Sequence, residues 1–423
     1  MKILIVSHYF PPHNSIASLR PYSWAKYWSE LGHDVTVLTT RKGEEISDDG
    51  KFKVVYVSSL YSRLFKKISS VKVAENKSRK SIFRSFFKGL HGRLQSMGAF
   101  TWDSRMPNIV STFHRTGYEK VKDESWDLVI STFAPYSSHI IGYKLKKSGS
   151  AKKWIADYRD LWCDNHMYSG VPIIRIYENW LEKNILKEAD CITTVSKPLA
   201  DTLKDKVDDI NKVKVIPNGY DFDDEVVSTQ PCKKQENSKI EILYTGSIYS
   251  GFRDPSLLFS GISELKKQSV NVSDLLKITF AGSAKGDLDL LINKFDVADV
   301  VEHIGMVPRN EVLGMQRNVD YLLLLESGDP KAAGVITGKV FEYIASETPM
   351  IIIGPTKRSE LGMLANQYSS AIFLESVSES VIFLKTILSG DSINFGSENK
   401  GNVDFKMQYS RKVLAEKVLR FIE

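Results

Sequence analysis

A β-branched run, KILIVS at positions 2–7, passes through a loop holding Pro11 and Pro12 into a helical stretch at 18–31. Gly32 stops that helix, and a second alternating run, DVTVLT, follows at 34–39. Strand, helix, glycine and strand in this order form one βαβ unit, whose strands should be parallel. Further strands are predicted at 53–57, 127–131, 154–157, 191–195 and 213–217, with helices at 136–147 and 173–187. Asn218-Gly219 is a strong turn signal, and composition turns polar from 221 to 239, the expected interdomain linker. The alternation then restarts, with strands at 240–245, 276–281, 321–325 and 350–353 and helices at 255–267 and 339–346. Two successive doubly wound α/β halves are the simplest account, and such sheets bind ligands at the carboxyl ends of their strands. A chain of 423 residues suits that division, since one ordinary core stops growing near 250–300 residues.

With 42% hydrophobic and 26% charged residues, the chain reads as a folded globular protein. No window reaches the roughly 18 uninterrupted apolar residues of a spanning helix. The apolar N-terminus lacks a small-residue cleavage site and reads as a first strand rather than a signal peptide. Three cysteines, Cys163, Cys191 and Cys232, lack C-x-x-C spacing. That pattern predicts neither a disulfide framework nor a zinc site, and fits a reducing cytosol. The net charge of +6 is local: segment 62–93 holds ten Lys/Arg against Glu75 alone. Without that +9 the rest of the chain stands at −3, so nucleic-acid binding is not expected. Within 62–94, Ile82, Phe83, Phe86, Phe87 and Leu90 follow helical spacing among the cations. A cationic amphipathic helix of this kind can lie on an anionic membrane, or equally pack its apolar stripe on the protein.

The stretch GVITGKVFEYIASETPMIII, 334–353, carries the most chemistry. A glycine-containing loop leads into a helix opened by Gly338, and helix N-termini attract anions. Lys339 in the first turn adds a point charge for a diphosphate. Glu342, three residues on and on the same face, can accept hydrogen bonds from vicinal ribose hydroxyls. The plainer reading is a solvated Lys–Glu pair on an amphipathic helix. In YTGSIYSGFRDP, 244–255, Gly246 and Ser247 leave a strand, and Arg253 precedes a helix where it can fork two phosphate oxygens. FAGSAKG, 280–286, is a similar strand exit at Gly282 and Ser283. WIADYRDLWCDN, 154–165, ends a strand in Asp157, Arg159 and Asp160, either functional charges or an Asp–Arg pair fixing a loop.

The chain resembles family 4 glycosyltransferases, retaining enzymes of bacterial polysaccharide biosynthesis. The resemblance spans nearly the whole chain and rests on KILIVSHYFPP with GHDVTVLT, TTVSKPLADTL followed by KVIPNGYD, YTGSIY, and GKVFEYIASETPMI. It implies a GT-B fold: two Rossmann-like α/β doubly wound domains facing a central cleft. The expected domains are an acceptor-side one at 1–217, with the basic amphipathic insertion at about 62–105, and a nucleotide-sugar-binding one at 218–400. A C-terminal helix in 401–423 is expected to return to the N-terminal domain. By the resemblance, Glu342 matches the second glutamate of an E-x7-E motif and holds the donor ribose, while Lys339 and Arg253 neutralise the diphosphate leaving group. Asn14-Ser15-Ile16-Ala17, with Arg20 just beyond, takes the place of the family's donor-approaching glycine-rich loop. A family histidine beside the donor sugar corresponds to Asp157, or with a slipped alignment to Arg159 or Asp160. Two departures stand out: Gly334 occupies the motif's first glutamate position, and Ser247 the usual arginine position.

The function implied is metal-independent, cofactor-free transfer of a sugar from a UDP- or GDP-sugar to a lipid- or saccharide-linked acceptor. Localisation is expected to be cytoplasmic, peripheral at the inner membrane face through 62–94. Two other readings stay open. One is a nucleotide-sugar-binding partner of a polysaccharide assembly complex, prompted by Gly334. The other is a nucleotide-sugar epimerase, whose acid/base set cannot be assembled from these residues.

Overall fold

The computed structural model describes residues 1–12, 16–40, 50–57, 112–165, 172–221, 239–248, 252–283, 287–329, 334, 336–368, 370–391, 393 and 402–422. The basic segment 62–94 and most of the linker 221–239 fall outside them. The chain divides into two compact units, Met1–Pro217 with Arg411–Glu423, and Asn218–Ser410.

The first unit holds seven strands: β1 (Lys2–Val6), β2 (Asp34–Thr40), β3 (Lys53–Val57), β4 (Trp126–Phe133), β5 (Ala151–Tyr158), β6 (Cys191–Thr194) and β7 (Val213–Val215). They form one all-parallel sheet in the order β3-β2-β1-β4-β5-β6-β7. Side chains alternate faces along a strand, so a sheet covered on both sides needs apolar residues at every position. After Lys2, β1 meets that demand: Leu4 and Val6 enter one core, Ile3 and Ile5 the other. The last helix, Arg411–Leu419, belongs to this unit and is tied to the first, Ile16–Glu30, by Trp28 Nε1 donating to Ala415 O at 2.9 Å.

The second unit holds β8 (Ile240–Thr245), β9 (Leu276–Ala281), β10 (Val301–Gly305), β11 (Tyr321–Leu325), β12 (Met350–Ile353) and β13 (Ala371–Leu374). Its sheet, again all parallel, runs β10-β9-β8-β11-β12-β13. From β8 the chain builds outward to β9 and β10; it then returns to the middle at β11 and builds the other way. The β8/β11 boundary is therefore the topological switch point, where loops part and leave a crevice beyond the strands' carboxyl ends. Two strands were not expected from sequence. β10 reads VEHIG and is mostly exposed at a sheet edge, so it lacks a buried apolar run. β13 is only four residues long.

Candidate functional site

The carboxyl ends of β8, β9 and β10 are laced together in turn. Gly246 N donates to Ala281 O at 2.8 Å and Gly282 N to Gly305 O at 2.7 Å. Gly246 and Gly282 have φ of +127° and +146°, backbone states that L side chains rarely adopt. A Cβ on Gly282 would stand 2.0 Å from Gly246 O, so the two strand exits can touch only through glycine. This brings Ser247 Oγ within 2.7 Å of Ser283 Oγ, giving the exits a half-buried hydroxyl edge.

Across the switch point the helix Gly338–Ser346 begins. Its N-cap residue, Thr337, is extended and its side chain makes no capping bond; the hydroxyl is buried with no hydrogen-bond partner. Such a start keeps its electrostatic pull on anions. Tyr343, one turn further, anchors the helix: Thr245 N donates to its hydroxyl at 3.0 Å, and that hydroxyl lies 3.4 Å from Leu323 O. Buried Tyr343 thus fixes the helix start against β8 and β11.

Lys339 is buried, with Nζ 3.3 Å from Tyr244 Oη, 4.7 Å from that ring's centroid, and 3.3 Å from Glu326 Oε1. Arg253 Nε donates to Glu326 Oε2 at 3.1 Å. Two cations from separate segments, one in the loop after β8 and one on the helix, therefore meet on a carboxylate immediately after β11. A Cβ at Gly246 would lie 3.6 Å from Lys339 Nζ, which puts the ammonium against the β8 exit. Burial lowers the pKa of Lys339, and Arg253 adds to the fall; Glu326 and Glu342 oppose it, leaving about 8. The trio of Arg253, Lys339 and Glu326 keeps one net positive charge below that pH.

Glu342 lies one turn beyond Lys339, with its side chain 10% exposed and Oε1 paired with Arg309 Nη1. Arg309 opens the helix Arg309–Arg317. Gly334 is buried and offers no carboxylate. The second unit thus brings together Gly246, Ser247, Gly282 and Ser283 at the strand exits, and Arg253, Gly338, Lys339 and Glu342 around the helix start. Glu326, Arg309 and Tyr343 were missed from sequence. A lone glutamate after YLLLL carries no periodic signal, and only the sheet order, setting β11 beside β8, shows its place.

The N-terminal candidates behave differently. Thr132, Asp157 and Thr193 are register partners on β4, β5 and β6, and so point to one face. Asp157 is 0% exposed and accepts from Thr132 Oγ1 and Thr193 Oγ1, both at 2.8 Å. Arg20 supplies two more bonds, Nη2 at 2.7 Å and Nε at 3.2 Å, while its Nη1 donates to Ile216 O and Pro217 O at 3.0 and 2.9 Å. Burial pulls the Asp157 carboxyl up, but Arg20's charge and hydrogen bonds, with those of both threonines, outweigh it and hold the pKa below the ordinary value. Here Asp157 and Arg20, expected near a donor sugar, are turned to each other. Both oxygens of one and all three nitrogens of the other are spent on a buried clasp joining the first helix, three strands and the end of the unit. Arg159 donates to Phe133 O and Ala17 O, each at 2.8 Å, and to Ala134 O at 3.3 Å, clamping backbone rather than facing open space. Asp160 is exposed. Ser15 lies outside the described residues, and of Ile16 only its backbone, at the first helix start, is described.

Among the described residues no group of three or more His, Cys, Asp or Glu could hold a metal ion, and no helix is long and apolar enough to cross a membrane.

Residues 21–224 match the family model described as Glycosyltransferase Family 4. No curated protein sequence matches the chain. Its fold is similar to that of Anabaena HepE solved with UDP and glucose, at TM-score 0.62 and 11% identity, covering 100% of this chain and 99% of the other. Sucrose-phosphate synthase from Thermosynechococcus elongatus gives 0.58 at 11% identity over 100% and 98%. A UDP-forming trehalose-phosphate synthase from Burkholderia vietnamiensis gives 0.61 at 10% identity over 99% of each chain. Identities this low carry the fold and no more. The chain has the GT-B fold, and residues 21–224, just under half of it, match Glycosyltransferase Family 4.

Proposed function

We propose that the chain is a retaining, metal-independent glycosyltransferase that moves a sugar from a UDP- or GDP-linked donor to a lipid- or saccharide-linked acceptor in surface polysaccharide biosynthesis. One observation carries this reading: Arg253 and Lys339 converge at the switch point, beside an uncapped helix start. A nucleotide diphosphate leaving a sugar gathers negative charge on its terminal phosphate. Two fixed cations and a helix N-terminus stabilise that charge as it develops. Glu342, already oriented by Arg309, is placed to accept hydrogen bonds from the ribose hydroxyls. With retention, the acceptor oxygen bonds to the anomeric carbon on the face the diphosphate departs from. The acceptor proton passes to that departing phosphate, so neither a metal nor a cofactor enters the step.

HepE is described in complexes with UDP and UDP-glucose, which makes uridine the first base to test. Transfer and donor hydrolysis should be assayed across UDP-, GDP- and ADP-sugars, with Lys339→Ala and Glu342→Ala each lowering turnover at least about tenfold, or ~1.4 kcal/mol of barrier. Wild-type turnover in both variants would remove the assignment. A second reading, a nucleotide-sugar binder in an assembly complex, is favoured by Gly334, which leaves the motif's first carboxylate absent. Nucleotide binding with no transfer or hydrolysis on any donor of the panel would select it. Membrane contact through 62–94 belongs to the same proposal and rests on sequence pattern alone. No lipid-dependent pelleting with anionic liposomes at low salt would end it.

A further inference from the structure

We infer that Glu326 is a positioning residue, the shared counter-ion that holds Arg253 and Lys339 side by side and keeps the buried lysine charged for a diphosphate. The inference rests on the donor-site reading above and adds a residue that reading does not use. Glu326 Oε2 accepts a hydrogen bond from Arg253 Nε at 3.1 Å, and Oε1 lies 3.3 Å from Lys339 Nζ. Its carboxylate is 10% exposed and the lysine side chain 6%, so little water screens the pair. Without a carboxylate between them, a guanidinium and an ammonium this close would repel, and the one able to lose its proton would do so. Arginine cannot, so lysine must.

Every charged or titratable group facing Lys339 supports this division of labour. Arg253, from the loop after β8, pushes its proton off, as does burial. Tyr244, on β8, places its hydroxyl 3.3 Å and its ring 4.7 Å away. Glu342, on the same helix, pulls in the protonating direction but is already paired with Arg309. Glu326 is the largest of the influences that keep the ammonium charged. It also reaches from the strand end directly beside β8, so it sets where both cations stand relative to the strand exits.

The test is E326Q in the full-length chain, which keeps the side chain's size and removes its charge. The first readout needs no nucleotide: the 13Cε resonance of Lys339, assigned by its absence in K339R, is followed against pH. Wild type should titrate near about 8, and E326Q lower by roughly one pH unit or more. An unchanged midpoint overturns the inference, whatever the chain binds. The second readout is the proton uptake on binding UDP at pH 7.5, measured by calorimetry in buffers of different ionisation enthalpy. E326Q should take up more protons than wild type, because the diphosphate must recharge its neutral lysine. A merely structural role would alter affinity without altering proton uptake. Tighter UDP binding by E326Q with no added uptake would instead mark Glu326 as a stand-in that phosphate displaces, and would also overturn the proposal. Should neither protein bind any nucleotide diphosphate while the Lys339 midpoint still shifts, the donor-site reading fails and the counter-ion assignment stands.

Discussion

Arg20→Met is the sharpest probe of the N-terminal unit, because it separates a clasp from a substrate contact. The substitution keeps an unbranched apolar stem and removes four hydrogen bonds, two to Asp157 and two to the carbonyls of Ile216 and Pro217. Asp157, 0% exposed, is left with two threonine hydroxyls as its partners. Removing one partner of a buried ion pair costs about 3–5 kcal/mol, since the other charge stays buried and uncompensated. At about 2–4 °C per kcal/mol for a unit of this size, the N-terminal transition should fall by about 6–20 °C. The assay is built into the sequence. All seven tryptophans lie between Trp24 and Trp180, so their fluorescence reports unfolding of the first unit alone. Adding Asp157→Asn to Arg20→Met removes the orphaned charge. The double variant should therefore be less destabilised than the two single losses sum to, by about 2 kcal/mol. A loss below about 1 kcal/mol in Arg20→Met, with transfer abolished under native conditions, would refute the clasp and return Arg20 to the substrate.

Three further outcomes follow from the geometry. Because Lys339 is charged below about 8 and neutral above it, UDP affinity should hold through pH 7 and decline as pH rises past that value; calorimetry from pH 6.5 to 9.5 checks this, and a flat profile contradicts it. Gly282→Ala drives a Cβ to 2.0 Å from Gly246 O at a φ of +146°, so it should destabilise the C-terminal unit by about 1–3 kcal/mol and weaken nucleotide binding; a variant with wild-type stability and affinity would show that the strand exits are not rigidly laced. Burial lowers the pKa of His139 to about 3 and that of His114 to about 4. The unfolded chain binds protons that these native rings refuse, so acidification from pH 6.5 should cost the first unit up to about 2.7 kcal/mol per pH unit. Urea titrations across that range should show the slope, and His139→Asn should roughly halve it.

Most of the scaffold was readable before any coordinates. KVVYV, IEILYT, LKITFA, YLLLL and MIII form strands at the predicted bounds because each is a short run dominated by β-branched, aromatic and aliphatic residues, and such runs stand out. VEHIG, broken by a glutamate, a histidine and a glycine, lacks such a run and was lost. The second unit's site was partly legible, since a lysine in the first turn after Gly338 and an arginine before a helix announce themselves by position. Glu326 did not, because its meaning depends on which strand lies beside β11. Asp157 shows the converse ambiguity. A carboxylate at a strand end reads the same whether it faces a substrate or an arginine 137 residues away in sequence, and only the register with Thr132 and Thr193 distinguishes them.

One anion seat in the second unit, formed by Arg253, Lys339 and the helix start, underlies the proposed chemistry. Thermal unfolding with and without UDP, GDP and ADP, for wild type and for the Arg253→Ala/Lys339→Ala double variant, tests it most directly. A ligand that binds only the folded protein at 100 times its Kd adds about 2.7 kcal/mol, so at least one diphosphate should raise the wild-type midpoint by several degrees. The double variant should stay folded and show no such rise. An equal rise in both proteins would place the nucleotide elsewhere and contradict the account.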